Sequence, residues 1–209
     1  MKIIDISIPI EEGMVKYPGD AEFSKTPICT IEKSGCNMMK LILGTHTGTH
    51  IDAPLHFLQD GLSIDKVPLF HFIGKAQVIE VDEKEITKDI IRKKMRSDIE
   101  RILFKTKNSS LYKEKRFIKD YTYLTEDGAR FLVKRRIRLV GIDYISIEKF
   151  GTPDFNVHKI LFQANICILE GINLLDVEEG IYILIALPLR LKGLDGSPVR
   201  AVLIKEDKD

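Results

Sequence analysis

Three of the five histidines in this 209-residue chain fall within eleven positions, in the stretch GTHTGTHIDAPLHF at 44–57, beside one aspartate. His46, His50, Asp52 and His56 share one parity. In an extended or gently bent segment all four side chains can therefore point to one side, until Pro54 bends the chain. Imidazole and carboxylate together form a donor set for zinc, manganese or iron. The H-x-x-x-H spacing is also that of a zincin helix, but such a helix needs glutamate directly after its first histidine. Here Thr47, Gly48 and Thr49 intervene and Pro54 follows, so a helix is disfavoured and the ligand set is borne on a loop. Gly44 and Gly48 let the backbone turn or come close to an ion. Thr45, Thr47 and Thr49 are expected to orient the ligands through their hydroxyls. Any one such histidine is more often an ordinary polar residue; four candidates at matching parity favour metal binding. A His/Asp set without cysteine suits a catalytic metal that keeps an open position.

If His56 is held back for acid–base work, the metal needs further ligands. His158 is the one histidine of the C-terminal half, in DFNVHKILFQANICILE, and Glu170 ends that apolar stretch. A carboxylate there is costly unless it is paired or coordinated. His71, within LFHFIGK, has apolar neighbours and no carboxylate partner, and reads as an ordinary packed or surface histidine.

The elements that must position these residues are mostly strands. IIDISIPI alternates with period two, and EEGMVKYPGD follows as a loop turning at Pro18-Gly19. MMKLIL (38–43) reads as a strand running directly into the histidine motif, and AQVIEV (76–81) as another. Thr87, with Asp89 in the first turn, opens a short helix through TKDIIRKKMR; Thr125 opens a second, through about Lys134. RILFKT (101–106) is read as a strand. RLVGIDYI, NICILE, YILIALPL and VRAVLIK are short apolar strands separated by turn residues. The charged stretch 82–120 lacks linker composition and is read as an arm of the same domain. The pattern predicts one mixed α/β domain over residues 1–209, with a sheet-rich core and a few covering helices.

Bulk properties narrow the partners. Thirty-two basic and 31 acidic side chains give a formal charge of +1, which offers no field for nucleic acid or an anionic membrane. The basic cluster Arg130 to Arg138 reads as a solvated helix face. No apolar run approaches the roughly 20 residues of a membrane span, and Asp5 and Pro9 interrupt the N-terminal segment. Three cysteines without C-x-x-C spacing are expected to be buried thiols, pointing to a reducing, cytoplasmic setting.

HTGTHIDAPLHF resembles the H-x-G-T-H-x-D-x-P-x-H signature of the putative cyclase family, which includes the bacterial kynurenine formamidases. DISIPIEEGMVKYPGD resembles the family's opening segment, GIDYISIE its middle strand, and HKILFQANICILEGINLL its closing metal segment. The resemblance implies a swivelling β/β/α fold assembled as a homodimer or larger homo-oligomer. It implies two divalent metal ions, zinc or in some members manganese, held by His46, His50, Asp52, His158 and Glu170, with Asp52 and Glu170 bridging. His56 would then be the proton donor and acceptor.

The implied reaction is hydrolysis of a formamide or amide C–N bond by a metal-bound hydroxide, as in N-formylkynurenine to kynurenine and formate. His56 would pass a proton to the leaving nitrogen. Formamidases typically carry tryptophan before the Pro-Gly-Asp of the first loop, where it packs on the substrate's aryl ring; this chain has Tyr17 there and no tryptophan. Glu170 agrees with formamidases, whereas isatin hydrolases carry glutamine at this place. The alternatives are a hydrolase of the same fold acting on another cyclic amide or lactone, and a non-catalytic metal-binding protein. A structural site has no use for the spare His56, which disfavours the latter.

Overall fold

The computed structural model describes residues 1–205. The β-branched runs of the sequence assemble there into a nine-stranded mixed sheet. In chain order, β1 (Lys2–Asp5) leads to a protruding hairpin of β2 (Ser24–Cys29) and β3 (Met38–Ile42), joined by the short helix α1 (Ile31–Ser34). Next come β4 (His50–Asp52), β5 (Ile73–Glu80), β6 (Glu85–Ile86), α2 (Lys88–Lys94), β7 (Arg101–Lys105) and β8 (Tyr123–Leu124). The chain continues through α3 (Glu126–Lys134), β9 (Leu139–Ile142), α4 (Asn156–Gln163) and β10 (Cys167–Glu170). It closes with β11 (Gly180–Ile185), β12 (Gly196–Pro198) and β13 (Val202–Lys205).

The sheet runs β1-β13-β11-β5-β7-β9-β10-β4-β12. Its centre, β5, β7, β9 and β10, is parallel and linked by crossovers that carry the helices. β4 joins β10 antiparallel, and β12 pairs antiparallel with β4. Alternate strand residues enter opposite cores. Ile51, Leu103, Leu139 and Leu169 pack with Ile6, Leu184 and Leu203, where the sheet curls on itself. Ile102, Val140 and Ile168 pack on the other face with Ile91, Leu132 and Leu161 from α2, α3 and α4. Since Ile51 and Leu169 belong to the first core, their strand neighbours His50, Asp52 and Glu170 face the helix-covered side.

The expected threonine caps form: Thr87 and Thr125 accept hydrogen bonds from the backbone N–H of Ile90 and Gly128. Two local expectations are corrected. MMKLIL does form a strand, but β3 pairs only with β2 among the described residues, and it ends at Ile42, short of the turn that carries His46. All five β3 residues are exposed, so its apolar character reflects an uncovered arm and not a core strand. NICILE forms the expected strand as β10, and the helix α4 before it stops where Asn165 takes a left-handed conformation. Only Cys167 is a buried thiol; Cys29 and Cys36 lie on the hairpin, Cys36 fully at the surface.

Candidate active site

Register places the first pair of site residues. In the β10–β4 ladder Glu170 lies directly opposite His50, and Asp52 opposite Ile168. Directly opposed residues share a face, so His50, Asp52 and Glu170 crowd together. His50 donates from Nδ1 to the Gly48 carbonyl at 2.9 Å. Its Nε2 is thereby left 3.2 Å from Asp52 Oδ1 and 3.6 Å from Glu170 Oε2. The turn before β4 packs tightly against the end of β10. A Cβ on Gly171, which has φ +69°, would sit 2.2 Å from the Gly48 oxygen, so only glycine fits.

Parity accounts for His50 and Asp52 alone, because only residues 50–52 are extended. His46 arrives through the turn of residues 45–49, and His56 through the single 3-10 turn Pro54–His56. These turns bring the two rings together, with centroids 4.0 Å apart and planes tilted by 32°. His46 Nδ1 lies 2.6 Å from Asp52 Oδ1. Two threonines bind backbone instead of histidines: Thr47 accepts from Gly44 N–H, and Thr49 donates to the Gly171 carbonyl. Their hydroxyls thus fix the loop, not the ligands.

His158 comes from the buried face of α4. The cap residue Phe155 offers that helix no side-chain hydrogen bond. Glu148 takes over, accepting from the N–H groups of Val157 at 3.1 Å and His158 at 3.4 Å. The same carboxylate accepts from His158 Nδ1–H at 2.6 Å. His158 Nε2 is then 3.6 Å from Glu170 Oε1, which also accepts from Ile147 N–H at 2.7 Å.

Two carboxylates, Asp52 and Glu170, are thus buried with no lysine or arginine partner among the described residues; their ionisable partners are imidazoles. Burying such charge is costly without a compensating cation. Burial would raise the Asp52 pKa, yet His46 and His50 hold it well below the usual carboxylate range. Burial, seconded by the charge on Asp52, pushes Glu170 up. Burial works against protonation of His46, but Asp52 and Asp195 outweigh it and raise the imidazole to about 11. For His158 burial is likewise overcome, by Glu148 and Glu170, and the pKa rises to about 9. His56 goes the other way: burial lowers it, the charges of His46 and His158 add to this, and Asp52 opposes.

Protons here sit where the site calls for cations, and the donor chemistry fits divalent metal ions. Two groups have ligand atoms mutually within 4.8 Å, His46–Asp52–His56 and His50–Asp52–Glu170, and they share Asp52.

The cluster floors a small cleft of about 90 Å³, and Tyr17, Asp20, Phe57, Ile145, Ser146 and Phe155 complete its wall. The structure therefore gathers every site residue expected from the sequence around one cavity. Tyr17 rests edge-on against Phe117 at 5.3 Å, which fixes its ring at the cleft. His71 lies elsewhere and donates from Nδ1 to the Arg138 carbonyl.

Three neighbours escaped the sequence reading. Asp20 follows Pro18-Gly19, and burial raises its pKa. Glu148 ends the GIDYISIE segment and could have been sought as a partner for His158. Asp195 lies 149 residues from His46 in sequence, yet its Oδ2 is 2.9 Å from His46 Nε2. No spacing connects these two positions.

Known proteins resemble this chain in sequence and in fold. A kynurenine formamidase of Bacillus cytotoxicus is 39% identical over 202 residues, covering 96% of each chain. A solved structure described as a potential metal-dependent hydrolase with cyclase activity superposes with a TM-score of 0.84 at 37% identity, covering 99% of both chains. Isatin hydrolase A from Labrenzia aggregata shares the fold, with a TM-score of 0.86 at 24% identity over 98% of this chain and 94% of its own. Residues 4–149 match the family described as putative cyclase, and the chain belongs to that family.

Proposed function

We propose that this chain is a metal-dependent amidohydrolase that cleaves the C–N bond of an aryl formamide, with N-formylkynurenine, giving kynurenine and formate, as its leading substrate. One observation carries the reading: His46, His50, Asp52, His56, His158 and Glu170 converge at the floor of a cleft that Tyr17, Phe57 and Phe155 help to line. In it, His46, His50, Asp52, His158 and Glu170 hold two divalent ions, zinc or manganese. Such a pair lowers the pKa of water toward neutrality and polarises a carbonyl oxygen.

The protein residues do the rest. Tyr17, with Phe57 and Phe155, receives the aryl ring and orients the formyl group toward the floor. His56, beside His46 at the cleft, serves as the proton carrier and passes a proton to the leaving nitrogen. Glu148 holds His158 by Nδ1, leaving Nε2 toward Glu170.

The identity to a kynurenine formamidase supports the formamide substrate. Tyr17 in the usual tryptophan position keeps a second substrate class in play, a cyclic amide or lactone of isatin type. Metal analysis followed by a hydrolysis panel of N-formylkynurenine, simple formanilides, isatin and a lactone decides between them. Fastest turnover of N-formylkynurenine is expected; no turnover of any formamide by the metal-loaded protein sinks the assignment.

The working form is a homodimer or higher homo-oligomer in the cytoplasm. Support for assembly comes from the hairpin, where Ile28, Ile31, Met38, Leu41 and Ile42 are all more than half exposed. No described helix is long and apolar enough to cross a membrane.

A further inference from the structure

One carboxylate oxygen reaches two histidines that the proposed function gives different tasks. Asp195 Oδ2 lies 2.9 Å from His46 Nε2 and 3.3 Å from His56 Nδ1. The contact is built from both sides of the loop. The Asp195 carbonyl accepts from Ala53 N–H at 2.9 Å, and Gly196 is the register partner of Asp52 in the β12–β4 ladder. A Cβ on Gly196 would lie 2.8 Å from the Ile51 oxygen and 3.0 Å from His46 Cε1, so the loop passes the imidazole only because residue 196 has no side chain. Upstream, the Leu194 carbonyl accepts from Ile64 N–H, and Gly193 N–H donates to Asp65. The Thr45 hydroxyl adds a hydrogen bond to the Asp195 carboxylate.

Which nitrogen of an imidazole is free depends on the hydrogen bond made by the other. We propose that Asp195 is the positioning residue for both rings, holding His46 as the Nε2–H tautomer with Nδ1 toward Asp52, and His56 as the Nδ1–H tautomer with Nε2 as its free nitrogen. A carboxylate on Nδ1–H also stabilises the imidazolium formed when Nε2 takes up a proton, the role an orienting aspartate plays toward a catalytic histidine. One rigid group thereby aligns a metal donor with the proton carrier. The segment 193–198 belongs to the site although it supplies no ligand. This assignment rests on the roles given above to His46 and His56.

The test is ¹⁵N-histidine NMR of the zinc-loaded protein, wild type against Asp195→Ala and Asp195→Asn, with zinc content measured in parallel. In the wild type His56 is expected as Nδ1–H and His46 as Nε2–H. Asp195→Ala should shift His56 toward Nε2–H and lower kcat about 10–100-fold, the usual scale for partners of metal-site residues, with KM within about twofold. Asp195→Asn keeps an acceptor oxygen, so it should retain the wild-type tautomers and lose less activity. A wild-type spectrum with His56 as Nε2–H overturns the proposal whether or not the alanine variant folds. Tautomers unchanged in a folded alanine variant do the same. If the tautomers respond but no formamide is turned over, the substrate reading fails and this one stands; normal turnover with indifferent tautomers removes this one alone.

Discussion

Glu170 stands directly opposite His50 in the β10–β4 ladder, and its two oxygens diverge, Oε2 lying 3.6 Å from His50 Nε2 and Oε1 3.6 Å from His158 Nε2. A single carboxylate thus ties a strand histidine to a helix histidine. Glu170→Gln preserves the shape and removes the charge. If the site holds the two ions proposed, it should reduce bound metal toward one and weaken the remaining affinity about 10–100-fold. Elemental analysis and titration calorimetry read both, and two tightly held ions in the variant would refute the bridging role.

His56 is the group whose role the geometry makes most worth testing, since its ring nitrogens lie within ligand distance of the His46–Asp52 pair. As proton carrier, His56→Ala should leave the metal content intact while kcat falls at least about 100-fold. Loss of an ion in that variant would make His56 a ligand instead.

Metal binding should depend steeply on pH. In the metal-free chain the pKa of His158 is raised to about 9 and that of His46 to about 11, against 6.5 for free imidazole. Both are therefore protonated at pH 7, and an incoming cation must displace their protons. Affinity should rise from pH 6 to 9, with about two protons released per chain near neutrality, measured by calorimetry in buffers of different ionisation enthalpy. The linkage has the opposite sign for the metal-free fold. Stability from these raised pKa values is complete below 6.5 and declines as pH climbs through about 9 for His158 and about 11 for His46. Affinity independent of pH over this range would contradict the account.

Glu148 has two roles that one substitution separates. Glu148→Gln keeps an acceptor for His158 Nδ1–H but removes the negative charge at the start of α4. A loss of about 0.5–2 kcal/mol in stability is expected, on the scale of a lost helix cap. Glu148→Ala should in addition weaken metal binding, because His158 loses its orienting partner. Thermal melts with and without metal distinguish the two, and equal effects of both variants on metal affinity would count against the orienting role.

The exposed hairpin predicts assembly. Leu41→Glu with Ile28→Glu places charge on its apolar surface, where both residues are more than half exposed in the single chain. Light scattering should show a wild-type dimer or larger form and a monomeric double variant with an unaltered circular dichroism spectrum. A wild-type monomer would leave the hairpin without this role.

Much of the site was legible because its chemistry is concentrated in sequence. His46, His50, Asp52 and His56 sit within eleven positions, and composition alone marks them as a donor set. Strand and cap signals were equally local, as Thr87 and Thr125 show. The sequence read by itself determined the residue types, the reaction class they can support and the mixed α/β character. Tertiary structure alone decided the partnerships. The β10–β4 register sets Glu170 against His50, α4 carries His158 to Glu170, and β12 brings Asp195 to His46. Strand pairing joins positions more than a hundred residues apart, helix packing turns His158 back onto Glu170, and no periodicity along the chain encodes which edges will meet.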